Sequence, residues 1–128
     1  MKPLTSEWIG KAEGDFTTAR RELAVVEAPN YDAVSFHAQQ CAEKYLKARL
    51  VEAGIDFPKT HDLCAVLDLV LRVEPAWERL RDGLNALGNL AVEVRYPGAS
   101  SSVEEAREAL DTAEAVRAAV RLALGMTT

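Results

Sequence analysis

Residues 31–53, with the sequence YDAVSFHAQQCAEKYLKARLVEA, decide the fold of this chain. Asn30 precedes the stretch as a helix N-cap, and Gly54 follows it at the C′ position, where glycine commonly ends a helix. Apolar and small residues recur in it at spacings of three and four, which aligns them on one helix face. These residues are Val34, Ala38, Cys41, Tyr45 and Ala48. The stretch therefore predicts one long amphipathic helix that crosses the whole domain.

Four more segments of helical period flank this helix, and glycine and proline separate them. The first covers about residues 6–26 and takes Thr5 or Ser6 as its cap. Another follows Thr60 and continues to about residue 73. Because apolar residues leave this segment little polar face, we expect it to be the most buried helix.

The fourth segment begins at Pro75, whose fixed φ suits a first helical turn, and continues to about Val94. Gly83 and Gly88 interrupt it, and each weakens a helix by up to about 1 kcal/mol relative to alanine. We expect close helix packing or a bend near Gly88.

The fifth segment starts at Ser102, and Glu105 three residues later completes a capping-box pattern. No stretch of the sequence shows a convincing alternation typical of a strand. The sequence therefore predicts an all-α fold, an antiparallel up-and-down bundle of four to five helices, in a single domain spanning residues 1–128.

Composition and charge exclude several classes of protein. The 128 residues are 48% hydrophobic and 27% charged, which is typical of a globular domain. The net charge of −5 argues against sequence-blind adhesion to nucleic acid, so phosphate recognition would need a small local cluster of donors. No apolar run is long enough to cross a membrane, and MKPLTSEWIG lacks a secretory signal. We expect a cytoplasmic protein in which Cys41 and Cys64 form no disulfide.

One side of the helix at residues 31–53 carries a set of polar side chains. At 100° per residue they fall within an arc of roughly 80°, about a right angle from the apolar face. They are His37, Gln40, Lys44 and Lys47. Donors grouped in this way can hold a phosphate or the carboxylates of a partner. The alternative is an ordinary solvated face on which Glu43 and Lys47 form an i,i+4 ion pair.

Arg95 and Tyr96 precede Pro97-Gly98, which fixes a turn directly after a helix end. Arginine supplies a planar fork of donors, and tyrosine supplies a ring and a hydroxyl. Alternatively, the turn only terminates the helix, and its arginine pairs with an acidic neighbour such as Glu43 or Glu93.

If the fourth segment neighbours the second, Arg95 reaches the level of Glu43. We therefore expect Arg95 to be held against Glu43, with Tyr96 packed beside it and with Lys44 and Lys47 free for an anion. Asp15 flanks the apolar stripe of the first segment, where it could orient a basic group.

The histidines give no sign of a metal site. His37 and His61 are the only two, and neither lies in a spacing typical of metal ligands. No glycine-rich phosphate loop and no arrangement of nucleophile, histidine and acid is visible. We therefore expect no metal and no cofactor.

Four pieces of the sequence together resemble the HEPN family, small helical domains of prokaryotes and higher eukaryotes associated with nucleotides. KAEGDF at residues 11–16 is similar to the family's first helix. HAQQ at residues 37–40, followed by AEK at 42–44 and LKA at 46–48, is similar to its second helix. THDL at residues 60–63 resembles the opening of the third helix. RYP at 95–97 resembles the motif of an arginine-tyrosine-proline branch.

The resemblance implies a bundle of four or five helices, commonly a homodimer, that works beside a minimal nucleotidyltransferase in toxin–antitoxin-like pairs. Ribonuclease members carry an arginine, four to six intervening residues, and then a histidine. In this chain no histidine follows His61. The resemblance implies a functional role for two groups of residues in this chain. The first is Arg95 with Tyr96, and the second is the helix face of Gln40, Glu43, Lys44 and Lys47.

We therefore expect a non-catalytic binding module that engages a nucleotidyltransferase partner or a nucleotide phosphate. The alternative is a divergent ribonuclease toxin, with RNA as its ligand, that uses His37 or His61 in place of the missing histidine. Four large aromatic side chains in so small a bundle also favour a homodimer: Trp8, Phe36, Phe57 and Trp77.

Overall fold

A computed structural model describes residues 1–126 of the chain. Within that range it contains five α-helices, and a 3-10 helix at Pro75–Leu80 precedes the fourth. The α-helices are α1 (Pro3–Leu23), α2 (Tyr31–Ala53), α3 (Leu63–Val70), α4 (Arg81–Glu93) and α5 (Val103–Ala123). The predicted all-α bundle is confirmed.

The ends of α1 and α2 show their antiparallel arrangement. The Thr5 hydroxyl donates to Glu52 Oε1 at 2.9 Å, so the start of α1 lies beside the end of α2. Near the other end, the backbone N–H of Asn30 donates to Glu22 Oε2 at 2.9 Å. No helix among residues 1–126 is both long and apolar enough to span a membrane.

The centre of the bundle is α2, which packs against each of the other four α-helices. Twelve of its 23 residues are buried, including Gln39, Glu43 and Lys47. The expectation that the third segment is the most buried helix is wrong. α3 ends at Val70 after eight residues and buries only the side that carries Leu63, Val66, Leu67 and Val70.

The predicted caps are confirmed for α2 and α5. The Asn30 side chain accepts from the Ala33 N–H, and Gly54 ends α2 with a φ of 72°, which favours glycine. Ser102 and Glu105 form the capping box in both directions.

The predicted starts of α1 and α3 are wrong. α1 begins at Pro3, whose fixed φ initiates the helix, and buried Thr5 uses its hydroxyl for the contact with Glu52. α3 is capped by Asp62, whose carboxylate accepts from the N–H groups of Cys64 and Ala65, so Thr60 lies outside the helix.

The two glycines of α4 have different surroundings. A Cβ at Gly83 would lie 3.0 Å from Thr112 Oγ1 and 3.3 Å from its Cγ2, so the close packing is between α4 and α5 at this position. A Cβ at Gly88 would meet nothing within 4 Å. The predicted close approach therefore occurs at Gly83 and not at Gly88, which faces open space.

Alanine substitutions should separate these two glycines. Gly88→Ala should raise the free energy of unfolding by up to about 1 kcal/mol, through helix propensity alone. Gly83→Ala should be less stable than Gly88→Ala by about 1 kcal/mol or more, because its methyl group crowds the β-branched Thr112. Urea unfolding measures both values. In a Thr112→Ala background the Gly83→Ala penalty should disappear; equal effects at both glycines would contradict this packing.

Candidate functional site

A buried carboxylate, Glu43, lies at the middle of α2 with only 3% of its surface exposed. Its Oε1 accepts from Gln39 Nε2 and His61 Nδ1, each at 3.0 Å, and its Oε2 accepts from Lys47 Nζ at 3.0 Å. Burial by itself would raise the pKa of the Glu43 carboxyl. The hydrogen bonds from Lys47, His61 and Gln39 outweigh burial and hold that pKa below its ordinary value. Glu43 is therefore an ionised, fully engaged acceptor.

Lys47 is buried as well and completes this cluster. Its Nζ donates to the Thr60 carbonyl at 2.9 Å in addition to Glu43. The same ammonium lies 5.7 Å from the ring centroid of Trp8 and 5.5 Å from that of Phe57, within the range of cation–π attraction. The i,i+4 pair of Glu43 and Lys47 is confirmed, but its face is not solvated. The expectation that Lys47 is free for an anion is wrong.

His61 projects from the turn before α3, and 73% of its side chain is exposed. Since Glu43 is ionised, Nδ1 of His61 is the donor in their 3.0 Å contact. The second ring nitrogen, Nε2, is left for a ligand: it accepts when the ring is neutral and donates when it is protonated.

A groove with a volume of about 400 Å³ runs along α4. The start of α3 and Gln39 of α2 form its opposite wall. Its polar lining comes from Gln39, His61, Asp62, Asn85, Asn89 and Arg95, and Gly88 lies between the two asparagines along α4. The structure thus places His61 and Arg95 on one concave surface.

Arg95 does not contact Glu43, contrary to expectation. Arg95 is exposed, and among residues 1–126 it forms no ion pair with Glu43, Glu93 or any other acid. Tyr96 is 66% exposed and is not packed beside it. The physical reason lies in Glu43, whose two oxygens already accept three hydrogen bonds from α2 and from His61. Arg95 instead lines the groove, and its fork forms no ion pair with any residue in the described range.

The remaining residues of the polar α2 face form a separate cluster with α1. Asp15 Oδ1 lies 2.8 Å from His37 Nδ1, and Asp15 Oδ2 accepts from Lys44 Nζ at 2.6 Å. Asp15 thus contacts an imidazole and an ammonium group, and Lys44, which was expected to be free for an anion, is paired with it. Gln40 donates to Gln39 Oε1 at 2.8 Å, beside the groove. Neither His37 nor Lys44 lines the groove, so the four predicted residues do not form one site.

Two groove residues, Asn85 and Asn89, were not singled out from the sequence. The one feature of the sequence that could have identified them is their spacing of four residues. This spacing places both amides on one side of α4, and Gly88 lines the same groove. His61 was considered as one of the two histidines and as part of THDL, and nothing in that motif indicates that it shares a groove with Arg95.

Chemically, the groove is suited to an anion. An arginine fork presents several N–H donors in one plane, and His61 adds a nitrogen whose orientation Glu43 fixes. Asp62 is the acid of the lining, and its Oδ1 accepts from the backbone N–H groups of Cys64 and Ala65.

Removal of the Glu43 carboxylate should destabilise the fold strongly. Glu43→Ala should lower the free energy of unfolding by about 3–5 kcal/mol, because the Lys47 ammonium stays buried without its partner. Arg95→Ala should change it by less than about 0.5 kcal/mol, since this side chain is exposed and unpaired. Urea unfolding gives both numbers, with exposed Glu27→Ala as the matched control. A second substitution, Lys47→Met, should recover part of the Glu43→Ala loss; no difference between Glu43→Ala and Glu27→Ala would refute the buried network.

The HEPN domain family model matches residues 5–123 of the chain. Searches of curated proteins and of solved structures found no match. The matched range includes the Glu43 cluster and the whole groove lining, from Gln39 to Arg95. Together with the five-helix bundle, this match shows that the chain belongs to the HEPN domain family.

Proposed function

We propose that this protein is a non-catalytic binding module whose α4 groove binds the phosphate of a nucleotide. One observation carries the proposal: Arg95 and His61 line the same groove, and each keeps donor or acceptor capacity that no other described residue uses. Family membership supports a nucleotide as the ligand, because nucleotide association is what the HEPN resemblance implies.

The groove lining carries one arginine, Arg95, and one carboxylate, Asp62, although the chain as a whole has a net charge of −5. The negative charge of Glu43 is directed at its three donors, Gln39, Lys47 and His61. The Asp62 carboxylate accepts hydrogen bonds from the first turn of α3. Arg95 is left as a cation without a counter-ion, which favours a bound phosphate.

The size of the groove supports a ligand larger than free phosphate. Its volume of about 400 Å³ lies within the usual range for small-molecule sites. Gly88 contributes to that space, since a side chain there would project into an open region.

Binding of nucleoside 5′-monophosphates, measured by isothermal titration calorimetry at low salt, tests the proposal. Arg95→Ala should weaken binding about tenfold or more, because a charge-assisted contact to phosphate is lost. Gly88→Leu should block binding while the fold remains intact by circular dichroism. Arg107→Ala, an exposed arginine on α5 outside the groove, is the matched control and should bind normally. Absence of binding at millimolar nucleotide, or binding that Arg95→Ala leaves unchanged, would refute the proposal.

A homodimer and a nucleotidyltransferase-domain partner in a toxin–antitoxin-like pair belong to the same proposal, and both stay predictions. The aromatic argument for a dimer now rests mainly on Phe36, which is 42% exposed. Trp77 is buried, and the rings of Trp8 and Phe57 pack edge-on with centroids 6.2 Å apart. Exposed Val92, which lines the groove, and exposed Tyr96 add apolar surface that a second chain could cover.

A second candidate function, a divergent ribonuclease, is favoured by the pair of His61 and Glu43. A histidine whose Nδ1 donates to a carboxylate resembles the base and orienting acid of hydrolytic enzymes. In this candidate, neutral His61 Nε2 takes the proton of a ribose 2′-hydroxyl, whose oxygen bonds to the adjacent phosphorus. The bond from phosphorus to the 5′-oxygen breaks, that oxygen takes up a proton from solvent water, and Arg95 stabilises the charge on the phosphate.

Incubation with single-stranded RNA in the presence of a chelator distinguishes the two candidates. The binding module should leave the RNA intact. Cleavage that is lost in His61→Ala but kept in His37→Ala would instead establish the ribonuclease. His37 is the matched control, because its Nδ1 also contacts a carboxylate, Asp15, but its ring lies outside the groove.

A further inference from the structure

We infer that binding of an anion in the α4 groove takes up a proton at His61, so that the groove releases its ligand as the pH rises. The inference rests on the proposed function, in which a phosphate binds at Arg95 and His61, and it names a regulation of that same site.

The contact with Glu43 fixes which nitrogen of the neutral His61 ring carries the proton. Glu43 Oε1 lies 3.0 Å from His61 Nδ1. Although burial acts to raise it, the hydrogen bonds from its three donors keep the pKa of the Glu43 carboxyl below its ordinary value. An ionised carboxylate can only accept, so Nδ1 is the donor. In the neutral ring Nε2 therefore carries no hydrogen and is an acceptor.

The two protonation states of His61 treat an anion in opposite ways. A phosphate oxygen without a hydrogen can only accept, so it forms no hydrogen bond with Nε2 of the neutral ring. Protonation places a hydrogen on Nε2 while Nδ1 still donates to Glu43. It also gives the groove a second positive charge in addition to that of Arg95, which lines the same groove. Only the protonated ring donates to the anion.

The other ionisable groups around His61 keep their charge over the pH range in which histidine titrates. Those that contact Glu43 or line the groove are Lys47, Asp62, Cys64 and Arg95. An ammonium, a carboxylate and a guanidinium are ordinarily charged throughout pH 5.5 to 8. Burial raises the pKa of the Cys64 thiol, so this group stays neutral. Proton uptake in this range therefore belongs to His61.

The sign of the effect follows from the reciprocity of linked binding. Because the proton and the anion each favour the other, affinity is highest at low pH, where His61 is protonated before the ligand arrives. The affinity falls as the pH rises and the free protein loses that proton.

Calorimetric titration with the methyl ester of uridine 5′-monophosphate at pH 5.5 and pH 8 tests the inference. This phosphodiester keeps one charge at both pH values, whereas a phosphate monoester itself titrates near pH 6. The ester should bind about tenfold more weakly at pH 8. At pH 7, titrations in two buffers of different ionisation enthalpy should show net proton uptake.

Two substitutions at His61 and His37 assign that proton. His61→Gln, whose amide donates at every pH, should bind the ester equally at pH 5.5 and pH 8. His37→Gln is the matched control and should keep the difference, because His37 contacts Asp15 and lies outside the groove.

Glu43→Gln tests the role of the carboxylate. A carboxamide can donate to His61 Nδ1, which lets the neutral ring carry its hydrogen on Nε2. This variant should therefore retain binding at pH 8 and lose most of the pH dependence. Circular dichroism shows whether it folds; if it does not, His61→Gln alone decides.

The remaining outcomes separate this inference from the proposed function. Equal affinity at both pH values, lost in Arg95→Ala, would overturn the proton linkage and leave the phosphate site standing. Tighter binding at pH 8, or a pH dependence that persists in His61→Gln or in folded Glu43→Gln, would also overturn the linkage. Absence of binding at both pH values would overturn the proposed function and this inference together.

Discussion

An ionised carboxylate in the middle of the central helix must replace its lost water with donors from the protein, and Glu43 does so with Gln39, Lys47 and His61. Two of these donors come from α2 itself, whereas the third comes from the turn before α3. Lys47 binds the same turn through the Thr60 carbonyl. The buried charge therefore holds the connection between α2 and α3 against the bundle, and that connection carries His61 to the groove.

Local rules predicted the helices whose ends are set by their own sequence. Asn30 and Gly54 bound α2, and the Ser102 capping box starts α5, because each cap satisfies backbone groups only a few residues away. The capping rule failed at Thr5, because its hydroxyl donates to Glu52, 47 positions away in the chain, instead of capping α1. A single-sequence argument cannot tell a capping hydroxyl from one that bonds to another helix.

The face of α2 shows a similar limit. Helical spacing correctly grouped Gln40, Lys44 and Lys47 on one side, but it could not show what covers that side. The connection after α2 buries Lys47, whereas α1 supplies Asp15 to Lys44. Residues that share one helix face thus belong to two clusters, because their neighbours come from distant parts of the chain. That His61 and Arg95, which are 34 positions apart, line one groove depends on the same long-range packing.

The chemistry of the groove depends on Arg95 having no acidic partner. Arg117 shows what happens when an arginine does pair with a carboxylate. Arg117 donates to both oxygens of Glu13, at 2.9 and 2.8 Å, and these bonds lower the pKa of the Glu13 carboxyl. An arginine engaged in this way is neutralised and has little attraction left for a ligand. Had Arg95 paired with Glu43 as the sequence suggested, the groove would have lost its unpaired cation. Because Glu43 is satisfied by Lys47, Gln39 and His61, the same carboxylate orients the imidazole and leaves the guanidinium available for an anion.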